Sequence, residues 1–211
     1  FKDGTGKDAE NYAFVERIVK TLLWVAGGFK IIIAGSDTVA AKIKEAYSYG
    51  GARDFDVHFM ERVYEQKFSV ESVALADAPK DKSSALPVGR HLDGCRIGFD
   101  AGGSDRKVSA VIDGESVYSE EVVWFPKTNS DPEYHYQGIL EAMKTAASKM
   151  PRVDAIGVSS AGVYVDNRIM IASLFLKVSD EDFEKKVKNM YIDVAKEIGE
   201  NIPIEVANDG D

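Results

Sequence analysis

The sequence predicts an α/β protein in which a small α/β segment precedes a larger block built on a mixed sheet. Hydrophobic residues make up 45% of the 211 positions, which is enough for a packed core. In residues 94–211 the apolar periodicity gives three successive strands, then a helix, a strand, a helix and a strand. Residues 76–93 are rich in Pro, Gly, Lys, Asp and Ser, which is typical of a linker. We therefore predict an extension at residues 1–93, with the linker at its end, and a second domain at residues 94–211.

Residues 1–93 contain signals for three helices and two strands. We expect Asp8 to cap the first helix and Gly27-Gly28 to end it. Apolar residues recur along this helix at helical spacing and form its expected buried face: Phe14, Ile18, Leu22 and Val25, with Val15 and Val19 alongside. The remaining elements follow in order: a strand at 29–34, a helix from Ser36 or Asp37 to about 49, a helix near 55–64 and a strand at 68–75.

Residues 94–211 begin with three strands that we expect to form an antiparallel meander, at 96–100, 107–112 and 116–124. Asp113-Gly114 is a strong hairpin signal between the second and third strands. Ser130 to Glu133 form an expected capping box with Pro132 in the first helical turn. The later elements are a strand at 153–159, a small hairpin at 163–165 and 168–172, a helix capped by Ser179, and a strand at 202–207. The expected buried face of that last helix is Phe183, Val187, Met190, Val194 and Ile198.

Charge and cysteine content exclude several classes of function. The net charge is −9, most of it in residues 94–211, and neither half carries the basic stripe that nucleic-acid binding needs. The single cysteine, Cys95, has no intrachain partner, which is typical of a reducing cytosol. No apolar run is long enough to span a membrane and no signal peptide is visible, so we expect a cytoplasmic protein without a membrane partner. A start at Phe1 and an end just after a strand are expected of a piece of a longer protein.

The first candidate site is the segment Asp-Ala-Gly-Gly-Ser that follows the strand at 96–100. Gly102 and Gly103 let the backbone approach a phosphate, and successive amides there can form an anion-binding nest. Ser104 can donate a hydroxyl hydrogen bond, and Asp100 can hold the water shell of Mg²⁺. The alternative is an ordinary Gly-Gly hairpin turn.

The second candidate is Asn208-Asp209-Gly210-Asp211, at the end of the last strand. Open α/β sheets bind ligands at such strand ends, and Asp209 there is a candidate general base for a substrate hydroxyl. The alternative is an Asx turn or a helix cap, because Asn, Asp and Gly favour both.

Weaker signals lie elsewhere in the chain. Residues 157–163 form a small-residue turn suited to ligand approach or to packing; its two serines lack a histidine to activate them and do not fit a G-x-S-x-G elbow. Gly35-Ser36-Asp37 fits either an anion at a helix N-terminus or a simple strand-to-helix turn. The three histidines have no metal-ligand spacing: His58, His91 and His135.

The order of these segments in residues 95–211 resembles the ROK family of sugar kinases and sugar-responsive regulators. Residues 97–104, Ile-Gly-Phe-Asp-Ala-Gly-Gly-Ser, are similar to the first phosphate loop of that family. Residues 156–162, Ile-Gly-Val-Ser-Ser-Ala-Gly, are similar to its Gly-x-Gly-x-Pro-Gly turn. Residues 206–211, Val-Ala-Asn-Asp-Gly-Asp, are similar to its Glu-Asn-Asp-Ala-Asn segment.

The resemblance implies a ribonuclease-H-like, actin/hexokinase-like half-domain that uses ATP and Mg²⁺ to phosphorylate a sugar hydroxyl. Asp209 would be the catalytic base, Asp100 would face Mg²⁺, and the phosphoryl group would face the loop glycines and serine. Substrate contacts are implied at Gly162, Asn208 and Asp209.

The resemblance also implies partners and an alternative function. It implies a second, C-terminal lobe with the adenosine pocket beyond residue 211, so we expect this chain alone to be inactive as a kinase and to bind ATP weakly. Ser173-Leu174-Phe175 stand where the family has a sugar-contacting Pro-Asn-Leu. A non-catalytic sugar or nucleotide sensor on the same fold is therefore the alternative, a module that docks through residues 1–93 is a third reading, and a homo-oligomer is left open.

Overall fold

The computed structural model describes residues 3–82 and 91–210, which divide into two units. One unit lies within residues 1–87 and the other within residues 88–211. The predicted linker at 76–93 falls only partly in the described residues, where its first part is exposed and includes a short 3-10 turn, Leu75–Asp77. Residues 83–90 of the linker lie outside the described residues.

The first unit consists of two parallel strands and three helices. The strands pair in register from Lys30 opposite Ser69 to Ala34 opposite Val73. Its elements in chain order are α1 (Asp8–Ala26), β1 (Lys30–Ala34), α2 (Asp37–Ala46), α3 (Asp54–Tyr64) and β2 (Ser69–Val73). Its core is formed by buried residues from all five elements and the adjoining turns: Leu23, Ile31, Val39, Ile43, Ala46, Tyr47, Val57, Met60, Phe68 and Val70.

Two expectations for α1 were wrong. Its N-cap is Lys7, and Asp8 is the first helical residue. The expected face is exposed: its residues Phe14, Ile18, Leu22 and Val25 are 42–81% accessible. The helix instead packs with Leu23 and the neighbouring Val15 and Val19 against the core. The prediction failed because apolar residues lie on two sides of this helix, so periodicity does not select one of them.

The second unit is built on one mixed sheet of five strands, which the sequence predicted to share a sheet: β3 (Cys95–Ala101), β4 (Asp105–Ile112), β5 (Glu115–Val123), β6 (Ala155–Ser160) and β9 (Ile204–Asn208). Their order across the sheet is β5-β4-β3-β6-β9. The pairs β3–β4 and β4–β5 are antiparallel, whereas β3–β6 and β6–β9 are parallel. This is the expected three-strand meander with two parallel strands added on the side of β3.

One face of this sheet carries the core and the other carries small and polar residues. On the core face Ile97 lies opposite Ile156 and Phe99 opposite Val158, and all are buried. The helices α4 (Pro132–Ala147) and α6 (Met190–Ile198) contribute buried residues to the same cluster. The opposite face borders a cavity of about 530 Å³ and presents mostly small or polar side chains: Gly98, Asp100, Lys107, Ser109, Ser119, Gly157, Ser159, Glu205 and Ala207.

The helices of the second unit differ from the expectations at their ends. Asp131, not Ser130, is the N-cap of α4, and its carboxylate accepts a hydrogen bond from the Glu133 N–H at 2.9 Å. Ser179 caps α5 (Asp180–Asp182) as expected, but a π-helical turn at Phe183–Val187 separates it from α6. Four of the five apolar residues predicted for this face are buried, and Ile198 is partly buried.

The small hairpin also forms as predicted, from β7 (Val163–Val165) and β8 (Arg168–Ile171). Asp166 and Asn167 both have positive φ, 51° and 63°, as a two-residue type I′ turn requires.

Candidate functional site at the carboxyl end of the parallel strands

The predicted site residues follow strands that end at one edge of the sheet. The register places Asp100 opposite Ser159, and Ser159 opposite Ala207. One residue further, Ala101, Ser160 and Asn208 form the next row. Asp209 follows Asn208 directly, so the two predicted carboxylates belong to the ends of β3 and β9, with β6 between them.

The turn between β3 and β4 is held closed by Trp124, which follows β5. The Trp124 indole N–H donates to the Gly102 carbonyl at 2.8 Å, and its backbone N–H donates to the Ser104 carbonyl at 3.1 Å. The indole is buried. A Cβ at Gly102 would lie 2.6 Å from the Asp105 carbonyl oxygen, so this position requires glycine.

The side chain of Lys127, from another segment, lies against Gly103. A Cβ built on Gly103 would lie 2.6 Å from Cε and 2.7 Å from Nζ of Lys127. Lys127 belongs to the 3-10 turn Pro126–Thr128, which begins two positions after Trp124. The two glycines thus leave room for different neighbours: the Asp105 backbone lies close to Gly102, and the Lys127 ammonium lies close to Gly103.

The charged side chains that surround the turn are partly paired. The Lys107 ammonium lies 3.3 Å from a carboxylate oxygen of Asp105, and this contact raises the pKa of Lys107. The Ser104 hydroxyl donates to the other Asp105 oxygen at 3.2 Å. Asp100 lies beside Lys107 on the uncovered face and lines the cavity there.

The other two predicted substrate residues, Gly162 and Asn208, contact each other. The Asn208 side-chain amide donates to the Gly162 carbonyl at 2.6 Å, and its oxygen accepts from the Gly210 N–H at 2.7 Å. The second bond is the Asx turn that the sequence allowed as an alternative. The two bonds tie the exit of β9, which carries Asp209, to the turn after β6.

Two tyrosines lie near the site, Tyr191 fully buried and Tyr164 partly buried. The rings of Tyr164 and Tyr191 are 6.4 Å apart, and neither hydroxyl has a hydrogen-bond partner of good geometry among the described residues. Burial raises the pKa of both phenols, with the negative charge of Asp209 adding to the effect on Tyr164 and that of Asp100 adding to the effect on Tyr191. Both carboxylates are therefore within electrostatic range of one tyrosine pair.

The remaining sequence candidates have structural contacts. Ser160 is buried and donates to the Ala101 carbonyl at 3.2 Å, so its hydroxyl is directed into the sheet. Ser36 caps α2 by accepting from the Val39 N–H, and its hydroxyl donates to Asp3. An acceptor carboxylate at that position disfavours a bound anion.

Two of the described histidines have structural contacts of their own. His135 is fully buried with its ring nitrogens 2.9 and 3.0 Å from two backbone carbonyl oxygens, and the exposed ring of His58 is stacked on Tyr49. Within residues 3–82 and 91–210, no group of three or more His, Cys, Asp or Glu side chains has the geometry of a metal site. None of the helices in those residues is long and apolar enough to cross a membrane.

Sequence reasoning did not find Trp124 or Lys127. Trp124 was predicted only as the end of a strand, and Lys127 was assigned to no element. They lie more than 20 positions after the glycine pair, and the sequence carries no signal for this contact. Only the hairpin register, which returns β5 to the start of β4, brings them to the turn.

Comparisons with solved structures give partial matches. The chain is similar to the Listeria monocytogenes protein Lmo2764, proposed to be an N-acetylmannosamine kinase, with 23% identity and a TM-score of 0.38 over 55% of this chain and 35% of that one. It is similar to an inorganic polyphosphate/ATP-glucomannokinase from Arthrobacter sp. strain KM, with 20% identity and a TM-score of 0.41 over 56% of this chain and 46% of that one. It is also similar to a ROK-family transcriptional regulator, a homologue of the E. coli MLC protein, with 15% identity and a TM-score of 0.35 over 56% of this chain and 28% of that one.

These matches concern a part of each protein. The chain covers less than half the length of each of these three structures. No family model matches the chain, and no curated protein is similar to it. Each of these structures is similar to slightly more than half of this chain, and they are a proposed N-acetylmannosamine kinase, a glucomannokinase and a transcriptional regulator of the ROK family, the family whose motifs this sequence resembles.

Proposed function

We propose that residues 94–211 form the first lobe of an ATP-dependent sugar kinase of the ROK type. The observation that supports this is the arrangement of the turn after β3 and of Asp209 after β9 at one edge of one sheet. Strands in a sheet are about 4.8 Å apart, so two spacings leave about 10 Å between the ends of β3 and β9. A phosphoryl group and a sugar hydroxyl fit in that interval.

Each residue has a distinct role in this proposal. Asp209 accepts the proton of the sugar hydroxyl, and Asp100 holds Mg²⁺ through its water shell. Gly102, Gly103 and Ser104 face the transferred group, and glycine lets the backbone of such a turn come close to a phosphate. ATP, when bound, supplies the phosphoryl group. The contribution of the protein is positioning and charge stabilisation.

Two further residues act on the sugar side. The bond from Asn208 to the Gly162 carbonyl fixes the backbone next to Asp209, and the two residues together border the sugar. The adenosine pocket belongs to a second lobe of the same protein. The activity is therefore proposed for the protein that carries both lobes.

The test replaces Asp209 with Asn in the two-lobed protein. Asn keeps the shape and the turn but lacks the base, so single-turnover phosphorylation across a panel of sugars falls by about 10²–10⁴-fold while nucleotide binding stays the same. Asp166→Asn is the matched control, because Asp166 is an exposed turn residue whose positive φ Asn also tolerates. Equal rates in wild type and Asp209→Asn would exclude Asp209 as the base.

A non-catalytic sensor is the second candidate, and one observation favours it. Leu174 and Phe175, in the segment where the family contacts its sugar, are 1% and 3% exposed and belong to the core. If wild-type protein phosphorylates none of the sugars but binds one of them, the sensor replaces the kinase.

A further inference from the structure

A cation lies at the glycine turn and has no role in the function described above. The ammonium of Lys127 is next to Gly103, close enough that a Cβ there would overlap the end of the lysine side chain. This contact joins the loop before β4 to the segment after β5, which are neighbours only through the folded sheet.

The backbone that carries Lys127 is fixed to the same loop. Pro126 is buried, and its carbonyl oxygen lies 3.0 Å from Nε2 of the buried His135. On the other side, Trp124 donates both of its N–H groups to carbonyls of the glycine turn. The backbone of Lys127 is therefore held in place relative to the glycine turn. This lowers the conformational entropy that the lysine loses when its ammonium binds a ligand there.

Two carboxylates and two ammonium groups surround the loop, and among the described residues one ion pair, Lys107 with Asp105, forms between them. Asp100 and Asp105 are negative, and Lys107 is paired with Asp105 at 3.3 Å. Lys127 forms neither an ion pair nor a hydrogen bond through its ammonium with any residue in the described part of the chain. A phosphate that approaches the glycine pair meets two carboxylates, and an unpaired cation beside it offsets their repulsion.

We propose that Lys127 is a phosphate-binding residue that contacts the phosphate chain of the nucleotide at the Gly102–Ser104 turn. The inference rests on the proposed function and adds a residue to it. A lysine ammonium binds phosphate as a compact point charge with three donors. Gly103 is then needed for a second reason besides backbone approach, since a side chain there would displace the lysine.

The test measures the affinity of this chain for Mg-ATP and for inorganic tripolyphosphate by calorimetry. Tripolyphosphate needs no adenosine pocket, so it reports on the loop alone. Lys127→Met weakens both affinities by about tenfold or more, because a hydrogen bond to a charged group is lost. Lys127→Arg retains most of the affinity. Lys149→Met is the matched control: it removes the same charge from an exposed lysine that lies over the Tyr118 ring, 5.0 Å from its centre.

Gly103→Ala gives a second measurement that leaves the lysine in the sequence. Its methyl group meets only the far end of Lys127, so stability stays near that of wild type while tripolyphosphate affinity falls as in Lys127→Met. If wild type and Lys127→Met bind tripolyphosphate equally, Lys127 is not a ligand residue. The proposal that residues 102–104 face the phosphate is then unaffected. If wild type binds neither compound at millimolar concentration, the Gly102–Ser104 turn of this chain is not a phosphate site and the inference fails, whereas the proposed function is decided by the Asp209→Asn test in the two-lobed protein.

Discussion

At the scale of single residues, the two adjacent glycines of the site have different requirements. Gly102 is restricted by backbone, because a Cβ would meet the Asp105 carbonyl oxygen at 2.6 Å and an Asp105 carboxylate oxygen at 3.1 Å. Gly103 is restricted only by the end of a flexible side chain, that of Lys127. The two glycines, identical in sequence, are therefore restricted by different neighbours, the first by backbone and the second by a lysine side chain.

This difference predicts opposite outcomes for two alanine variants. Gly102→Ala forces the start of β4 away from the turn, and the overpacking lowers the free energy of unfolding by about 1–3 kcal/mol. Urea denaturation, with tryptophan emission as the probe, measures the loss, since Trp124 donates to the Gly102 carbonyl. Gly103→Ala is the control and unfolds at nearly the wild-type midpoint. Equal stability of all three proteins would mean that the turn relaxes without cost.

At the scale of elements, strand β9 is an edge strand that one side chain partly covers. The Asn167 amide donates to the Ile204 carbonyl at 3.0 Å and accepts from the Val206 N–H at 2.8 Å. It thereby pairs with the outer edge of β9 as a neighbouring strand would. Because β9 leads directly into Asp209, this turn residue of the β7–β8 hairpin helps to position the proposed base.

Removal of the Asn167 amide tests this role. Asn167→Gly keeps the positive φ of 63° without strain but leaves both backbone groups without their partner. The expected loss in unfolding free energy is about 1–3 kcal/mol, and the Val206 amide exchanges its hydrogen faster. Asp166→Gly, at the neighbouring turn position with φ of 51°, controls for the added glycine. Unchanged exchange at Val206 would contradict the bond.

The strands were predictable from the sequence, whereas helix faces and ends were less so. Alternating apolar residues in β3 and the Asp113-Gly114 turn specify a register, because one face must be buried. The helix after Ser179 was predicted as continuous, since residues 183, 187, 190, 194 and 198 keep helical spacing. The Lys188 N–H donates to the Phe183 carbonyl, five residues back, at 2.9 Å, and this π-turn interrupts the helix. The apolar residues on either side of the interruption still face the core.

The site was predictable only where its residues follow strand ends. Asp100 and Asp209 come directly after apolar runs, so their position at a sheet edge follows from the strands. Lys127 and Trp124 reach the same place through tertiary contacts across a turn, and no local pattern marks such contacts.

At the scale of the whole molecule, the two units have separate hydrophobic cores. The described core residues of the first unit all lie between Leu23 and Val70 in the sequence, and those of the second all lie between Cys95 and Val206. A unit that contains its whole core folds independently. We therefore expect residues 94–211 expressed alone to unfold cooperatively, with the same urea midpoint as this unit has in the full chain. A molten or insoluble product would show that the unit depends on residues 1–93.

The position of Cys95 offers a way to observe this unit by itself. It is the single cysteine of the sequence, 2% exposed in β3, and its backbone N–H donates to Asp154 at 2.8 Å. An alkylating reagent reaches this thiol only when β3 leaves the sheet, so the labelling rate is the intrinsic rate scaled by the fraction of opened molecules. For a unit that is stable by about 5 kcal/mol, labelling is roughly 10³–10⁴-fold slower than in an unfolded peptide. Mass spectrometry of the alkylated chain thus measures the opening of the five-stranded sheet and does not report the unfolding of residues 1–93.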